Sequence, residues 1–131
     1  MEEVIDFKAV DDDGWNCLML ACERGDLDRL KYLMDKGGSL AVFDDSGNSC
    51  LHIACVGKHF DVVKYLLDEG MDVNILDDGN FSPLHYACVM GPKLNILEIL
   101  LREGAEVKAR NKYGHTPFMC LCHYGDKETK L

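Results

Sequence analysis

Basic charge is scarce in this chain of 131 residues, which carries 14 Lys and Arg against 23 Asp and Glu for a formal net charge of −9. No basic stripe is present to displace counterions from a phosphate backbone, which argues against nucleic-acid binding. Long apolar runs are missing too. Although 47% of the residues are hydrophobic, no stretch approaches the roughly 20 residues that span a bilayer, so no membrane insertion is expected. Met1-Glu2-Glu3-Val4 puts acid where a secretory leader needs base, and no long apolar core follows. There is no linker, no low-complexity segment and no Gly-rich phosphate loop beyond turn glycines. The length suits one domain. The acid surplus favours a neutral or basic partner without selecting a function.

What the chain has is a repeat. Ser-Pro-Leu-His-Tyr-Ala at 82–87 returns as Leu-His-Ile-Ala at 51–54, Leu-Met-Leu-Ala at 18–21 and Thr-Pro-Phe-Met at 116–119. The motif leucine or its equivalent falls at 18, 51, 84 and 118, at intervals of 33, 33 and 34. That period, with a turn and two helical stretches inside it, predicts a stacked solenoid. The chain resembles the ankyrin repeat family, whose signature is Thr-Pro-Leu-His-x-Ala, over nearly its whole length. The resemblance implies an all-α solenoid of helix-turn-helix units joined by β-turn fingers, with three full repeats and partial terminal ones. Residues 1–131 then form one domain, divided as 1–10, 11–43, 44–76, 77–110 and 111–131. Ile5-Asp6-Phe7-Lys8-Ala9 matches Met71-Asp72-Val73-Asn74-Ile75, so residues 1–10 read as the tail of an earlier unit. Both ends fall in mid-unit, and the expectation is a segment of a longer array; the alternative is a short chain with frayed ends.

Each unit opens on a turn: Asp11-Asp12-Asp13-Gly14, Asp44-Asp45-Ser46-Gly47, Asp77-Asp78-Gly79-Asn80 and Asn111-Lys112-Tyr113-Gly114. Gly, Gly, Asn and Gly at the fourth place predict a left-handed residue there. Asn16, Ser49, Ser82 and Thr116 follow as helix caps, with Pro83 and Pro117 in the first helical turn. Second helices are expected at about 27–36, 60–69 and 94–103. Their core stripe reads Leu27, Leu30, Leu33 and Met34, then Phe60, Val63, Leu66 and Leu67, then Leu94, Leu97, Leu100 and Leu101. Gly37, Gly70 and Gly104 close them. The third unit holds one extra residue, in Met90-Gly91-Pro92-Lys93.

Cys22, Cys55, Cys88 and Cys122 recur at the same place after the motif. Stacked helices lie about 8–10 Å apart, and a disulfide needs Cα atoms within about 7 Å. In-register cysteines are therefore expected as small core residues with free thiols, in a reducing compartment, cytoplasmic or nuclear. His52-x-x-Cys55 and His85-x-x-Cys88 read either as zinc half-sites or, as the resemblance implies, as histidines bonded to backbone of an adjoining turn. The pairs lie a full repeat apart, which favours the second reading. Cys120-x-Cys122-His123 is the densest ligand cluster, yet neighbouring helical residues face different ways. No metal or cofactor is expected, and the absence of a base, an orienting group and an oxyanion pocket around a concave site reads as non-enzymatic. A flat stack of helix pairs offers no deep cavity. Asn74, in Asp72-Val73-Asn74 with Leu66 eight residues before it, resembles a family substrate for asparaginyl hydroxylation; the plainer reading is a turn asparagine. Asn80-Phe81-Ser82 matches a glycosylation acceptor that a reducing compartment leaves idle.

The resemblance places recognition on the turn tips and the outer side of each first helix. Those positions are Asp12, Asp13, Trp15, Glu23 and Arg24 in the first full unit, and Asp45, Ser46, Asn48, Val56 and Gly57 in the second. The third contributes Asp78, Gly79, Phe81, Val89 and Met90, the fourth Lys112, Tyr113, His115, His123 and Tyr124. Carboxylates gather on the first three tips, while Trp15, Phe81, Val89, Met90, Tyr113 and Tyr124 supply apolar anchors. Trp15 and Phe81 have a second reading, as residues packed along their own turns. The chain is thus expected to be a non-catalytic protein–protein interaction module that takes a basic and apolar segment of another protein, as a monomer unless open repeat edges self-associate. The alternatives are an intramolecular structural or regulatory array of a larger protein, and a thiol-based redox or metal sensor.

Overall fold

Each unit starts where an Asp or Asn side chain folds the backbone onto itself. In the computed structural model, which describes residues 4–89 and 91–124 except for the side chains of His123 and Tyr124, Asp11 Oδ1 accepts from the N–H groups of Asp13 and Trp15 at 2.9 and 3.0 Å. Asp44, Asp77 and Asn111 do the same in their turns. The fourth residues, Gly14, Gly47, Asn80 and Gly114, take φ of 82°, 79°, 61° and 79°, as expected. At Gly47 the constraint is double, because a Cβ there would meet Asp78 Oδ1 at 2.5 Å.

Among the described residues seven helices follow these fingers: α1 Cys17–Arg24, α2 Leu27–Asp35, α3 Cys50–Val56, α4 Phe60–Asp68, α5 Pro83–Ala87, α6 Leu94–Arg102 and α7 Pro117–Tyr124. No strand occurs among the described residues. Asn16, Ser49 and Ser82 cap α1, α3 and α5 from their side chains, and Thr116 Oγ1 accepts from the Met119 N–H. The first helices α1, α3, α5 and α7 stack in one layer; α2, α4 and α6 back them, with α4 packed on α6. Leu18, Leu51 and Leu84 from the inner layer and Leu30, Val63 and Leu100 from the outer one are fully buried between them.

Three details differ from the sequence reading. The second helices end one residue early, at Asp35, Asp68 and Arg102, because Lys36, Glu69 and Glu103 sit near ψ = 0 ahead of Gly37, Gly70 and Gly104, which take positive φ. In α6 the buried stripe is Ile96, Ile99 and Leu100, whereas Leu94 is 70% exposed and Leu101 41%. Leu94 opens the helix, where a side chain leans back toward the N-terminus and past the core. Leu101 faces the side on which no further second helix lies among the described residues. Cys122, expected in the thiol ladder, is exposed, while Cys22, Cys55 and Cys88 are buried; α7 has a helix on one side only among the described residues.

The extra residue of the third unit shortens its first helix to five residues, against eight in α1 and seven in α3. At its end the Tyr86 and Ala87 carbonyls accept from Lys58 Nζ, at 2.9 and 3.2 Å, the Tyr86 carbonyl in addition to the Val89 N–H. Lys58 takes φ of 60° at a place where the first and third units have Gly25 and Gly91, both also at positive φ. The strain of a left-handed lysine, on the order of 1–2 kcal/mol, is offset by an ammonium group on two helix-terminal carbonyls.

Candidate interaction site

The fingers form a continuous row. Asp45 N–H donates to the Asp13 carbonyl at 3.3 Å, Asp78 N–H to Ser46 at 3.0 Å and Lys112 N–H to Gly79 at 2.9 Å. Along this row Asp12, Asp13, Asp45, Ser46, Asp78, Lys112 and Tyr113 are exposed. Glu23, Arg24 and Val56 are exposed at the ends of α1 and α3, with Gly57 and Val89 half-buried beside them. Met90 and the side chains of His123 and Tyr124 lie outside the described residues.

The fifth turn positions are half-buried, and their packing explains why. Trp15 Nε1 donates to Asp44 Oδ2 of the next finger at 2.8 Å. Asn48 Nδ2 donates to the same oxygen at 3.3 Å, while Asn48 Oδ1 is buried without a partner among the described residues. Burial works against the Asp44 charge, but the Asn48 and Ser46 N–H groups, the Trp15 indole and the Asn48 amide outweigh it and hold the carboxyl below its ordinary pKa. Phe81 stacks on Tyr86, with ring centroids 5.0 Å apart and planes 19° apart, and meets the edges of His85 and Tyr113. The Tyr86 hydroxyl donates to Asp77 Oδ2; burial, with the Asp77 bond and charge, pushes its pKa up.

These contacts shape a groove of about 510 Å³ whose lining includes Trp15, Ile53, Val56 and Tyr86, together with Glu23 and His59. The concave face is therefore not flat, as the sequence reading had it. His59 Nε2 lies 2.7 Å from the Glu23 carbonyl and joins the first and second units there. Tyr86, Ile53 and His59 were missed from sequence. The first two occupy the unspecified position of Leu-His-x-Ala, and that freedom was the available signal. A second surface also went unnoticed: Val10, Phe43 and Leu76, each the residue before a finger, are 60%, 54% and 48% exposed.

The motif histidines bond to backbone of the adjoining turn. His52 Nε2 donates to the Phe81 carbonyl at 2.9 Å, and His85 Nε2 to that of His115 at 3.0 Å. That assignment follows from Nδ1, which accepts the Ser49 or Ser82 N–H at 3.0 Å. Among the described residues no group of three or more His, Cys, Asp and Glu side chains is placed to hold a metal. Burial pushes the Cys55 thiol up to about 12 and, with Cys120 nearby, the Cys88 thiol up to about 11. Cys22 shares a hydrogen bond with Cys50, one unit on and out of register; that bond, then burial, drives its pKa upward. These groups are poor nucleophiles at neutral pH. Asn74 ties two turns together, its Nδ2 donating to the Gly104 carbonyl at 3.1 Å and its Oδ1 accepting the Glu106 N–H at 2.8 Å.

No helix among the described residues is long and apolar enough to cross a membrane. No curated protein matches the chain. The family model for ankyrin repeats matches in three copies, over residues 2–77 and 18–111. Ankyrin repeats are generally protein-interaction modules, typically without catalytic activity. With most of its length under that match and every finger, cap and histidine bond in the repeat's place, this chain belongs to the ankyrin repeat family.

Proposed function

We propose that the chain is a non-catalytic module that holds a basic and apolar segment of another protein along its fingers and the exposed side of its first helices. The observation that carries this reading is the finger row itself. Backbone hydrogen bonds fix four neighbouring tips, the first three of them acidic, beside the exposed Val56 and Tyr113. A rigid, charged rim next to apolar anchors has the anatomy of a binding face. The acid favours Lys or Arg on the partner, mainly through encounter rate and register. The repeats run 11–43, 44–76 and 77–110, with 1–10 and 111–131 as partial units. Seven free cysteines favour a reducing compartment, cytoplasmic or nuclear.

The test compares two sets of variants in capture from source lysate, followed by direct binding to each captured protein. Val56→Asp and Tyr113→Asp alter the concave face; Lys64→Glu and Glu98→Lys alter exposed outer-helix sites. Captured proteins should bind the outer variants as they bind the parent and lose at least tenfold in affinity for the concave ones. Loss confined to the outer variants would refute the reading.

A further inference from the structure

The groove between Trp15 and Tyr86 has features that a general binding face does not need. Its aromatic walls are both pinned: the Trp15 indole by Asp44 of the next finger, and the Tyr86 hydroxyl by Asp77, with its ring stacked on Phe81. Side chains already held in place lose little freedom when a ligand arrives, so binding there is preorganised. Its floor is aliphatic, from Ile53 and Val56, and the latter is 55% exposed. Its volume, about 510 Å³, falls in the range of clefts that seat ligands, roughly 300–1,000 Å³.

Charge selects the occupant. Glu23, exposed at the end of α1, is the acidic residue of the lining, which includes no lysine or arginine. Lys58, from the adjoining loop, has its ammonium turned onto the Tyr86 and Ala87 carbonyls. The tips above carry Asp12, Asp13, Asp45 and Asp78, all exposed. An apolar side chain inserted here would thus be followed, on the same segment, by a cation near Glu23. An acidic segment would meet like charge on two sides.

We infer that this groove is the anchor subsite of the face: it seats one large apolar side chain of a partner segment against Ile53 and Val56, with an adjacent Arg or Lys paired to Glu23. The inference rests on the proposed concave binding and narrows it to one position and one chemistry. Trp15 is the chain's single tryptophan, so its emission reports occupancy directly.

The experiment selects a phage-displayed library of random 12-residue peptides on the folded chain, then titrates synthetic copies of the enriched peptides while Trp15 fluorescence is followed. Enriched peptides should share a large apolar residue within three positions of Arg or Lys, and should shift the Trp15 emission. Val56→Asp, at an exposed site, should weaken them at least tenfold with an unchanged circular-dichroism melt. Glu23→Arg should weaken the same peptides, and replacing their apolar residue with Ser should abolish binding. Phe43→Asp, on the row before the fingers, should stay within twofold. Selection that enriches nothing, or acidic peptides, or peptides without an apolar anchor, overturns the inference. Peptides indifferent to Val56→Asp but lost in Tyr113→Asp overturn the groove and leave the concave reading standing. Peptides lost only in Phe43→Asp or Lys64→Glu overturn both.

Discussion

Met19 and His52 hold the same place in successive units and are equally shut from solvent, at 1% and 0% exposure, yet they join their neighbours differently. The His52 ring accepts the Ser49 N–H on one side and donates to the next finger on the other, and His85 repeats the arrangement. Met19 fills space. The cap of its helix falls to Asn16 alone, and the side-chain tie between the first and second fingers comes from the Trp15 indole on Asp44. One core position can thus act as packing or as a fastener, and the fastener carries a proton dependence. Burial, against weaker opposing bonds and charges, holds the pKa of His52 and His85 below the ordinary imidazole value. A proton on Nδ1 would remove the acceptor that the Ser N–H needs.

The largest effect should come from breaking a fastener outright. His52→Ala leaves a cavity, orphans the Ser49 N–H and strips the Phe81 carbonyl of one of its two donors, the Asp77 N–H remaining, and should lower stability by about 3 kcal/mol in urea unfolding. A loss under about 1 kcal/mol would reduce the ring to filler. Making the second unit resemble the first sharpens the comparison. His52→Met keeps the volume and should cost about 1–2 kcal/mol at pH 7.

Acid should separate the two kinds of unit. With folded pKa values below the unfolded one, near 6.5, the unfolded chain binds more protons in the interval between them. The histidine contribution is therefore complete above about pH 6.5 and is lost as the pH falls from there toward the folded values. The double variant His52→Met/His85→Met should flatten that decline, measured by urea midpoints from pH 7.5 to 5. An unchanged slope would contradict the assignment.

Lys58→Met removes the ammonium from the end of α5 and should cost about 1 kcal/mol, whereas Lys58→Gly, which also relieves the positive φ, should cost less. Equal losses would show that φ plays no part. Thiol kinetics should barely involve stability. Cys122 should react with an aromatic disulfide reagent first and half-buried Cys17 next, well ahead of the five buried thiols. Rapid reaction of all seven would favour the sensor reading over the core one.

Much of what is set within a unit was legible in the sequence, although the last residue of each second helix and the exposure of Leu94 were not. The left-handed fourth turn residues, the Asn and Ser caps and the glycines after the second helices depend on local chemistry, and so they could be read residue by residue. The histidine bonds were legible through the repeat. What depended on a neighbour was not. Leu101 and Cys122 have the right spacing for burial, but their burial requires a further unit against them. Trp15 looked like a free anchor because its acceptor, Asp44, lies 29 residues on. Tyr86 and Lys58 were invisible for the same reason: the shape of the groove and the cap on α5 exist only once the second and third units are stacked.

The most direct test of the binding account is hydrogen exchange of the folded chain with and without a bound partner segment. The account predicts new protection in the fingers at 11–16, 44–49 and 77–82 and at the ends of α1 and α3, with α2, α4 and α6 unchanged. Protection confined to α2, α4 and α6 would contradict it.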